Sequence, residues 1–484
     1  RYGLTGEETG TLGDVGLDSL RIAEFAHDLK AELEARGNVD LSAAVDLRLL
    51  IKIAVSELFE LLEDVAAAAP RAKLRFKRAV LKLQREHQDQ EARMMRADTR
   101  LRFEPSELLA QASPQEASRG AILLTGGTGF FGPFLLKSLL EQCEGEVFVL
   151  VRAKDPDAGM QRLREALATV GVQPGTKALD WERRVRPVCG DLAQANLGLS
   201  PADWLLLSRQ VQAIYHNGAL VNYLYDYEAM SEANVGGTHE VIRLALSGRE
   251  KVLNHISTTF VFGWSVKKTL FETDTNPDMD HLDFGYSQSK WVSEQVVLRA
   301  MQDGLQARIF RPALLSPSIG EEGDHFDISI RLLAFMLKHR IGTTAKNQVS
   351  FFPADLAADN IVAISSLPES LCTTCHVTRD TYATMLDITT ILARLTRQSF
   401  ENFALNDFVP EVIERCQKDD PLFPLLNFLV RSVSNITAME FKRYDNSNFQ
   451  RFRGQVTQGK EDPLLEDVVV GILRFMRGHG IVED

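Results

Sequence analysis

The apolar run Ala121–Leu124 feeds directly into Thr125-Gly-Gly-Thr-Gly-Phe-Phe-Gly132, and this junction constrains the fold more tightly than any other stretch. Glycines 126, 129 and 132 follow a T-G-x-x-G-x-x-G spacing. A strand that ends in such a turn and opens a helix brings backbone N–H groups and a helix N-terminus to one spot, where a pyrophosphate can bind. The turn alone is a weak signal. Its weight comes from what surrounds it.

Between residues 121 and 315, short β-type runs alternate with helical stretches. They are Ala121–Leu124, Val147–Val151, Arg184–Val188, Ala213–His216, Lys251–Ile256 and Ala307–Phe310. The alternation predicts an α/β protein with a Rossmann-type, doubly wound parallel sheet over 98–315. Residues 316–484 read as mixed and mostly helical, with strand-like Phe351–Phe352 and Thr373–Thr378, and suit a smaller C-terminal substrate-binding lid domain. Phe326, Phe335 and Met336 there fit an apolar substrate chain or an ordinary core.

Residues 1–69 read as an all-α segment. Leu20, Phe25, Leu29 and Leu33 fall near helical spacing, Gly37-Asn38 breaks the pattern, and a second helix runs through Leu49, Ile53 and Leu61 before Pro70. Residues 70–97 form an expected helical linker. Arg71–Arg102 carries eleven Lys and Arg against four acids, in a chain of net charge −12. That face is either a solvated linker or a docking surface for an acidic partner domain or its phosphate.

A chain of 484 residues holds more than one domain. Its 45% apolar and 25% charged residues are ordinary for a soluble globular protein. No apolar run reaches the roughly 18 residues of a membrane span, and no secretory leader is visible. Five scattered cysteines fit a reducing, cytoplasmic setting better than a disulfide framework. The acidic balance argues against nucleic acid as a partner. Cys372-Thr-Thr-Cys375-His376 matches a haem-attachment pattern, but its flanks alternate like a strand and nothing indicates export. Zinc lacks a second ligand pair, so no metal site is expected.

The second β-run ends in Arg152. An acid there would hold a ribose 2′-hydroxyl, whereas an arginine suits a 2′-phosphate, so NADPH is the expected cofactor. Lys154 and Arg162 add charge or simply lie on the surface. The expected cradle comprises Thr125, Gly126, Thr128, Gly129, Phe130, Phe131 and Gly132. Asp191 and Leu192 after the third run would meet the adenine, although Asp191 could equally cap a turn. Asn217 and Ala219 after the fourth run would let backbone approach the cofactor.

Tyr286 and Lys290 stand four residues apart, on one helix face. Carbonyl reduction by hydride needs a proton donor at the developing oxyanion, and a nearby ammonium lowers a tyrosine's pKa toward working pH. Ile256-Ser-Thr-Thr259 offers three hydroxyls at the preceding strand end. Thr258 is favoured because it lies five residues before Gly263, a spacing that matches extended short-chain dehydrogenases. Ser257 and Thr259 are the alternatives.

Gly285-Tyr-Ser-Gln-Ser-Lys-Trp291 with Glu294 resembles the G-Y-x-x-S-K-W-x-x-E signature of thioester reductase domains. Such domains terminate carboxylic acid reductases and some nonribosomal peptide and polyketide synthetases. His216–Asn222, Asn234–Thr238, Glu272–Asp274 and Arg311-Pro312 look like further blocks of that pattern, which spans 98–484 and weakens beyond 320. The resemblance implies that Pro312, Tyr286 and Lys290 also contact the cofactor. One departure is Asp226, where the family places a proline before Tyr227.

Gly13-Asp-Val-Gly-Leu-Asp-Ser19-Leu20 resembles the attachment motif of acyl and peptidyl carrier domains. A serine that opens a helix is also an ordinary cap. A thioester reductase needs a tethered thioester, so the resemblance implies 4′-phosphopantetheine on Ser19, installed by a phosphopantetheinyl transferase. Only eighteen residues precede Ser19, so the chain is expected to start inside the carrier domain, downstream of an adenylation or synthetase module. The expected activity is reductive release of the chain's own tethered acyl group as an aldehyde, or onward to the alcohol. The main alternative is an extended dehydrogenase or epimerase acting on a nucleotide sugar.

Overall fold

The computed structural model describes residues 2–482 apart from 18, 43–44, 46–49, 51–52, 111–119, 174–180, 224, 280, 283, 321, 324–326, 427, 430–431, 433–434, 437–441 and 457–461. The chain divides into two compact units, Arg1–Met94 and Met95–Asp484.

In the first unit, helices α1 (Ser19–Ala35), α2 (Val39–Ser42) and α3 (Val55–Ala66) precede the long helix α4 (Ala72–Asp98). Leu12, Ile22, Leu33, Leu41, Val55 and Leu58 form a small core, which Phe76 and Val80 of α4 complete. The basic residues of α4 stay at the surface, and two of them pair with acids of this same unit. Lys77 pairs with Asp40 at 2.8 Å, and Arg75 pairs with Asp64 and Glu60. These pairs are largely solvent-exposed and screened by water, so they contribute little to stability. Ser19 is the first residue of α1, and its side chain lies outside what the structure describes.

The second unit is built on strands β1 (Ala121–Thr125), β2 (Val147–Val151), β3 (Val185–Cys189), β4 (Val211–His216), β5 (Val252–Ile256), β6 (Ala307–Pro312) and β7 (Thr374–Val377). All pair in parallel, in the order β7-β6-β5-β4-β1-β2-β3. The crossover helices include α5 (Gly132–Gln142), α6 (Pro156–Ala168), α7 (Gly237–Leu246) and α8 (Gly285–Gln302). Strands β1 and β2, Ala-Ile-Leu-Leu-Thr and Val-Phe-Val-Leu-Val, are buried at every residue, as a sheet covered on two faces requires. Strand β3 carries Pro187 and leaves Arg186 exposed, as an edge strand can.

Two strand starts differ from expectation by one residue, each because a cation is used elsewhere. Arg184 precedes β3 and donates to the carbonyls of Leu140, Cys143 and Gly145. Lys251 precedes β5, and its ammonium donates to the Ser208, Ser247 and Arg249 carbonyls. A larger difference lies at the far edge. Strand β7 comes from beyond residue 316, so the sheet is not confined to 98–315. Cys375 and His376 sit inside that strand and are fully buried, while Cys372 lies exposed before it.

Beyond the sheet follow α9 (Ile328–His339), α10 (Ala354–Ser365), α11 (Ser447–Val456) and α12 (Leu465–Gly478). Helix α10 packs into the sheet's own core beside Leu135 and Leu139 of α5. A second core gathers α9 and α12, and it holds Phe335 and Met336, both fully buried. Of the two readings of these residues, ordinary core is the one observed. Phe326 lies outside the described residues. No described helix is long and apolar enough to cross a membrane.

Candidate active site

The chain leaves β1 for β2 and β3 on one side, then returns to place β4 on the other. The carboxyl ends of β1 and β4 therefore flank a topological switch point, where ligands of open α/β sheets bind. Thr125 and His216 close these two strands side by side.

The glycine turn sits at that point, and its glycines do different work. Gly126 has a φ of +71°, and a Cβ there would lie 2.6 Å from Gly218 Cα. A Cβ on Gly132 would run into the Gly126 carbonyl. Both glycines are demanded by the packing of the turn itself. At Gly129 a Cβ would meet only the Gly126 oxygen, at 3.5 Å, so this side faces open space. Helix α5 starts here with Pro133 in its first turn and no side-chain cap on its N–H groups. An open, uncapped helix start suits the pyrophosphate of a dinucleotide. Thr128 and Phe130 are part-buried on the same turn, and Phe131 is buried.

The other expected cofactor residues gather at the same sheet edge. The Asn217 amide donates to the Gly126 carbonyl at 3.2 Å and buttresses the turn. Arg152 is exposed at the end of β2, and the Arg162 guanidinium donates to its main-chain carbonyl. Lys154 faces Asp155 at 3.8 Å instead. Asp191 caps its own turn, accepting from Ala193 N at 3.0 Å. Leu192 fills the space left by Gly218 and Gly237. Ala219 follows β4, and Pro312 ends β6.

The three hydroxyls after β5 separate cleanly. Ser257 donates to Glu294 at 2.5 Å, and Thr259 is bonded to Tyr444. Thr258 accepts from Phe260 N at 3.2 Å, and its side chain lies near enough to the Tyr286 phenol to favour the ionised form. Lys290, one turn along α8 from Tyr286, donates to the Ile256 carbonyl at 2.8 Å. Burial pulls its pKa down to about 8, against the pull of Glu294. Tyr286 departs from expectation. Burial, seconded by the Asp327 carboxylate, pushes its phenol above the ordinary value despite Thr258. The phenol is thus held protonated, as a proton donor must be before it acts.

Sequence reasoning missed the bracing around these groups. His216 Nδ1 lies 2.8 Å from Thr125 Oγ1, and its Nε2 lies 3.0 Å from Thr238 Oγ1. Thr238 Oγ1 also lies 2.6 Å from the Asn234 carbonyl and 2.6 Å from Ser293 Oγ on α8. Burial holds His216 neutral, with a pKa of about 3. The Asn234 side chain clamps Leu220 through both N and O and donates to Ser289. Arg311 binds Glu294 at 2.6 and 3.0 Å and donates to the Glu272 and Asp274 carbonyls. Glu272 accepts backbone N–H groups from His376, Asn448 and Phe449. Burial still outweighs these bonds and lifts its pKa to about 7. The motif blocks were visible in the sequence, but which residues they would meet was not. Asp226 caps the short helix Tyr227–Ser231 by accepting from Ala229 N.

Residues 124–361 match the NAD-binding family model described as male sterility protein. One of the linear gramicidin synthase polypeptides of Brevibacillus parabrevis is 34% identical over 304 residues, which are 62% of this chain and 6% of that protein. The chain thus spans a small part of this curated relative. The crystal structure of the terminal R domain from the myxalamid PKS-NRPS pathway is 30% identical, with a TM-score of 0.74, over 81% of this chain and 98% of that one. A thiolation-reductase di-domain from an archaeal nonribosomal peptide synthetase shares the fold over 98% of this chain and 93% of its own, with a TM-score of 0.67 at 18% identity. Together with the Rossmann sheet, the glycine turn and the Tyr286–Lys290 helix, these likenesses show that the chain belongs to the terminal reductase domains of nonribosomal peptide and polyketide synthetases, within the male sterility family of NAD-binding proteins.

Proposed function

We propose that the chain reduces an acyl thioester carried on 4′-phosphopantetheine at Ser19 and releases it as an aldehyde. The observation that carries the reading is the meeting of three groups at the end of β5: the Thr258 side chain acts on the Tyr286 phenol, and Lys290, one turn along the same helix, is held to the Ile256 carbonyl at 2.8 Å. Two neighbouring hydroxyls share a point between them, where a substrate carbonyl oxygen can accept from both. Bound at the glycine turn, a reduced nicotinamide would supply hydride to the carbon of that carbonyl.

Charge then develops on the oxygen held by Tyr286 and Thr258. Donors already aimed at that oxygen stabilise the transition state without reorganising. Tyr286 gives up its proton, and the buried Lys290 ammonium stabilises the phenolate left behind. Loss of the thiol from the tetrahedral adduct frees the aldehyde. A second round would give the alcohol.

Arg152, exposed at the end of β2, supports NADPH over NADH, since a guanidinium there suits a 2′-phosphate, and Arg162 bonds the Arg152 carbonyl beside it. Residues 1–69 serve as the carrier domain in this reading, 70–97 as a linker, and 98–484 as the reductase with its lid. The fold likeness to a thiolation-reductase di-domain over nearly the whole chain supports a carrier part followed by a reductase part, although Phe76 and Val80 of the linker segment pack into the first unit's core. The partners would be an upstream adenylation or synthetase module and a phosphopantetheinyl transferase.

The test loads the chain with an acyl-pantetheine arm, using a transferase and acyl coenzyme A, and locates the added mass. Wild type should carry it on Ser19, and Ser19→Ala should not. NADPH should then be consumed with release of aldehyde. Arg152→Ala should raise the KM for NADPH about 10- to 100-fold, as the loss of a charge-assisted bond implies, and leave that for NADH nearly unchanged. A loaded chain that consumes neither cofactor would overturn the reading.

A further inference from the structure

Six aromatic rings meet where the carbonyl would sit. Tyr223 and Phe260 lie 6.3 and 6.4 Å from the ring of Tyr286. Phe284 stands behind them, 6.2 Å from Tyr223 and 5.6 Å from Phe260. Trp264 packs on Phe284 at 6.2 Å. Phe428, from the C-terminal region, closes the group at 5.1 Å from Tyr223, 5.2 Å from Phe284 and 6.2 Å from Trp264.

Their placement follows from the fold. Tyr223 lies on the loop after β4, Phe260 and Trp264 on the segment after β5, and Phe284 directly before α8. All three segments lie at the sheet edge that holds the catalytic hydroxyls. Phe284 and Trp264 are buried, whereas Tyr223, Phe260, Phe428 and Tyr286 keep part of their surface open. The wall therefore has a buried back and a front facing the reaction point. Among the described residues, a carboxylate borders it. Asp327, the N-cap of α9, lies close enough to Tyr223 and Tyr286 to disfavour a negative charge on either phenol.

We propose that Tyr223, Phe260, Trp264, Phe284 and Phe428 form the acyl subsite, and that it selects neutral apolar acyl groups, ring-bearing ones above all, and rejects carboxylate-bearing ones. This rests on the thioester-reductase reading of the same site. Aromatic walls favour flat apolar groups through area and ring stacking. An acyl carboxylate would have to shed its water against these rings, beside Asp327.

The test separates binding from turnover. Non-reducible pantetheine amides are titrated into the full chain by calorimetry, and the matching pantetheine thioesters are assayed with NADPH. The 3-phenylpropionyl amide should bind at least tenfold more tightly than the glutaryl amide, and kcat/KM should follow. Phe428→Ala should lower kcat/KM for the phenylpropionyl thioester about 10-fold or more, the scale of a lost apolar contact, while acetyl stays within twofold. Equal binding of both amides, or an equal loss for acetyl, would overturn the subsite. Selective binding of the amides without reduction of any thioester would uphold the subsite and contradict the reductase reading.

Discussion

Thr125 Oγ1 and His216 Nδ1 lie 2.8 Å apart at the ends of adjacent strands, and the threonine is the donor. The order of protons follows from one carbonyl. Asn234 O can only accept, so it takes the Thr238 proton. His216 Nε2 must then donate to Thr238, which leaves Nδ1 as an acceptor for Thr125. Thr125 in turn accepts from Gly218 N at 2.9 Å. Through Ser293, this chain of bonds ties the glycine turn to the helix that bears Tyr286 and Lys290.

Two neighbouring histidines should therefore respond in opposite ways to loss of the imidazole. His255 lies 5.4 Å from His216, fully buried, and neither of its ring nitrogens has a partner among the described residues. His216→Leu strands the proton that Thr125 donates, while Thr238 keeps the Asn234 carbonyl and Ser293, and it should cost about 1–3 kcal/mol for the one stranded group. It should also weaken NADPH binding. His255→Leu removes two unsatisfied nitrogens and should be neutral or stabilising within about 1 kcal/mol. Urea unfolding of both variants checks the contrast, and equal losses would contradict it.

The buried Arg311–Glu294 pair makes a second contrast. Both side chains are almost wholly buried. Glu294→Gln leaves the guanidinium without its counter-charge and should cost about 3–5 kcal/mol. Replacing both partners, Glu294→Leu with Arg311→Met, should cost less than the single change. Thermal unfolding of the single and double variants measures the difference.

Lys290 should set an alkaline limit on the reaction. Its pKa is lowered to about 8 in the folded chain, so the ammonium is present below that pH and is lost as pH rises through it. Tyr286 is shifted the other way and keeps its proton across the same range. The kcat for thioester reduction should therefore be level below pH 8 and fall about tenfold per unit above it. Lys290→Met should lower the rate at every pH and remove the limb. A limb that persists in Lys290→Met would assign it to another group.

Much of this was legible in the sequence. The glycine turn, the six strands from β1 to β6 and the Tyr286–Lys290 pair all rest on local patterns of spacing and periodicity. What escaped was long-range. Strand β7 is four residues long and lies far beyond its partner in the chain, so no local signal ties Thr374 to Ile309. The aromatic wall combines three segments at the sheet edge with a distant Phe428 and has no period in the sequence. The direction of the Tyr286 shift depends on burial, which spacing does not report. A lysine four residues away suggested a lowered phenol pKa, yet the surrounding protein outweighs it.

The central claim is that Tyr286 protonates the oxygen of a carrier-bound thioester during its reduction. The most direct measurement is a single turnover of the acyl-loaded chain with NADPH, quantifying released aldehyde for wild type and Tyr286→Phe. The variant should bind NADPH as wild type does and release aldehyde about 10²- to 10⁴-fold more slowly, the usual range for a lost general acid. Release at the wild-type rate from Tyr286→Phe would contradict the account.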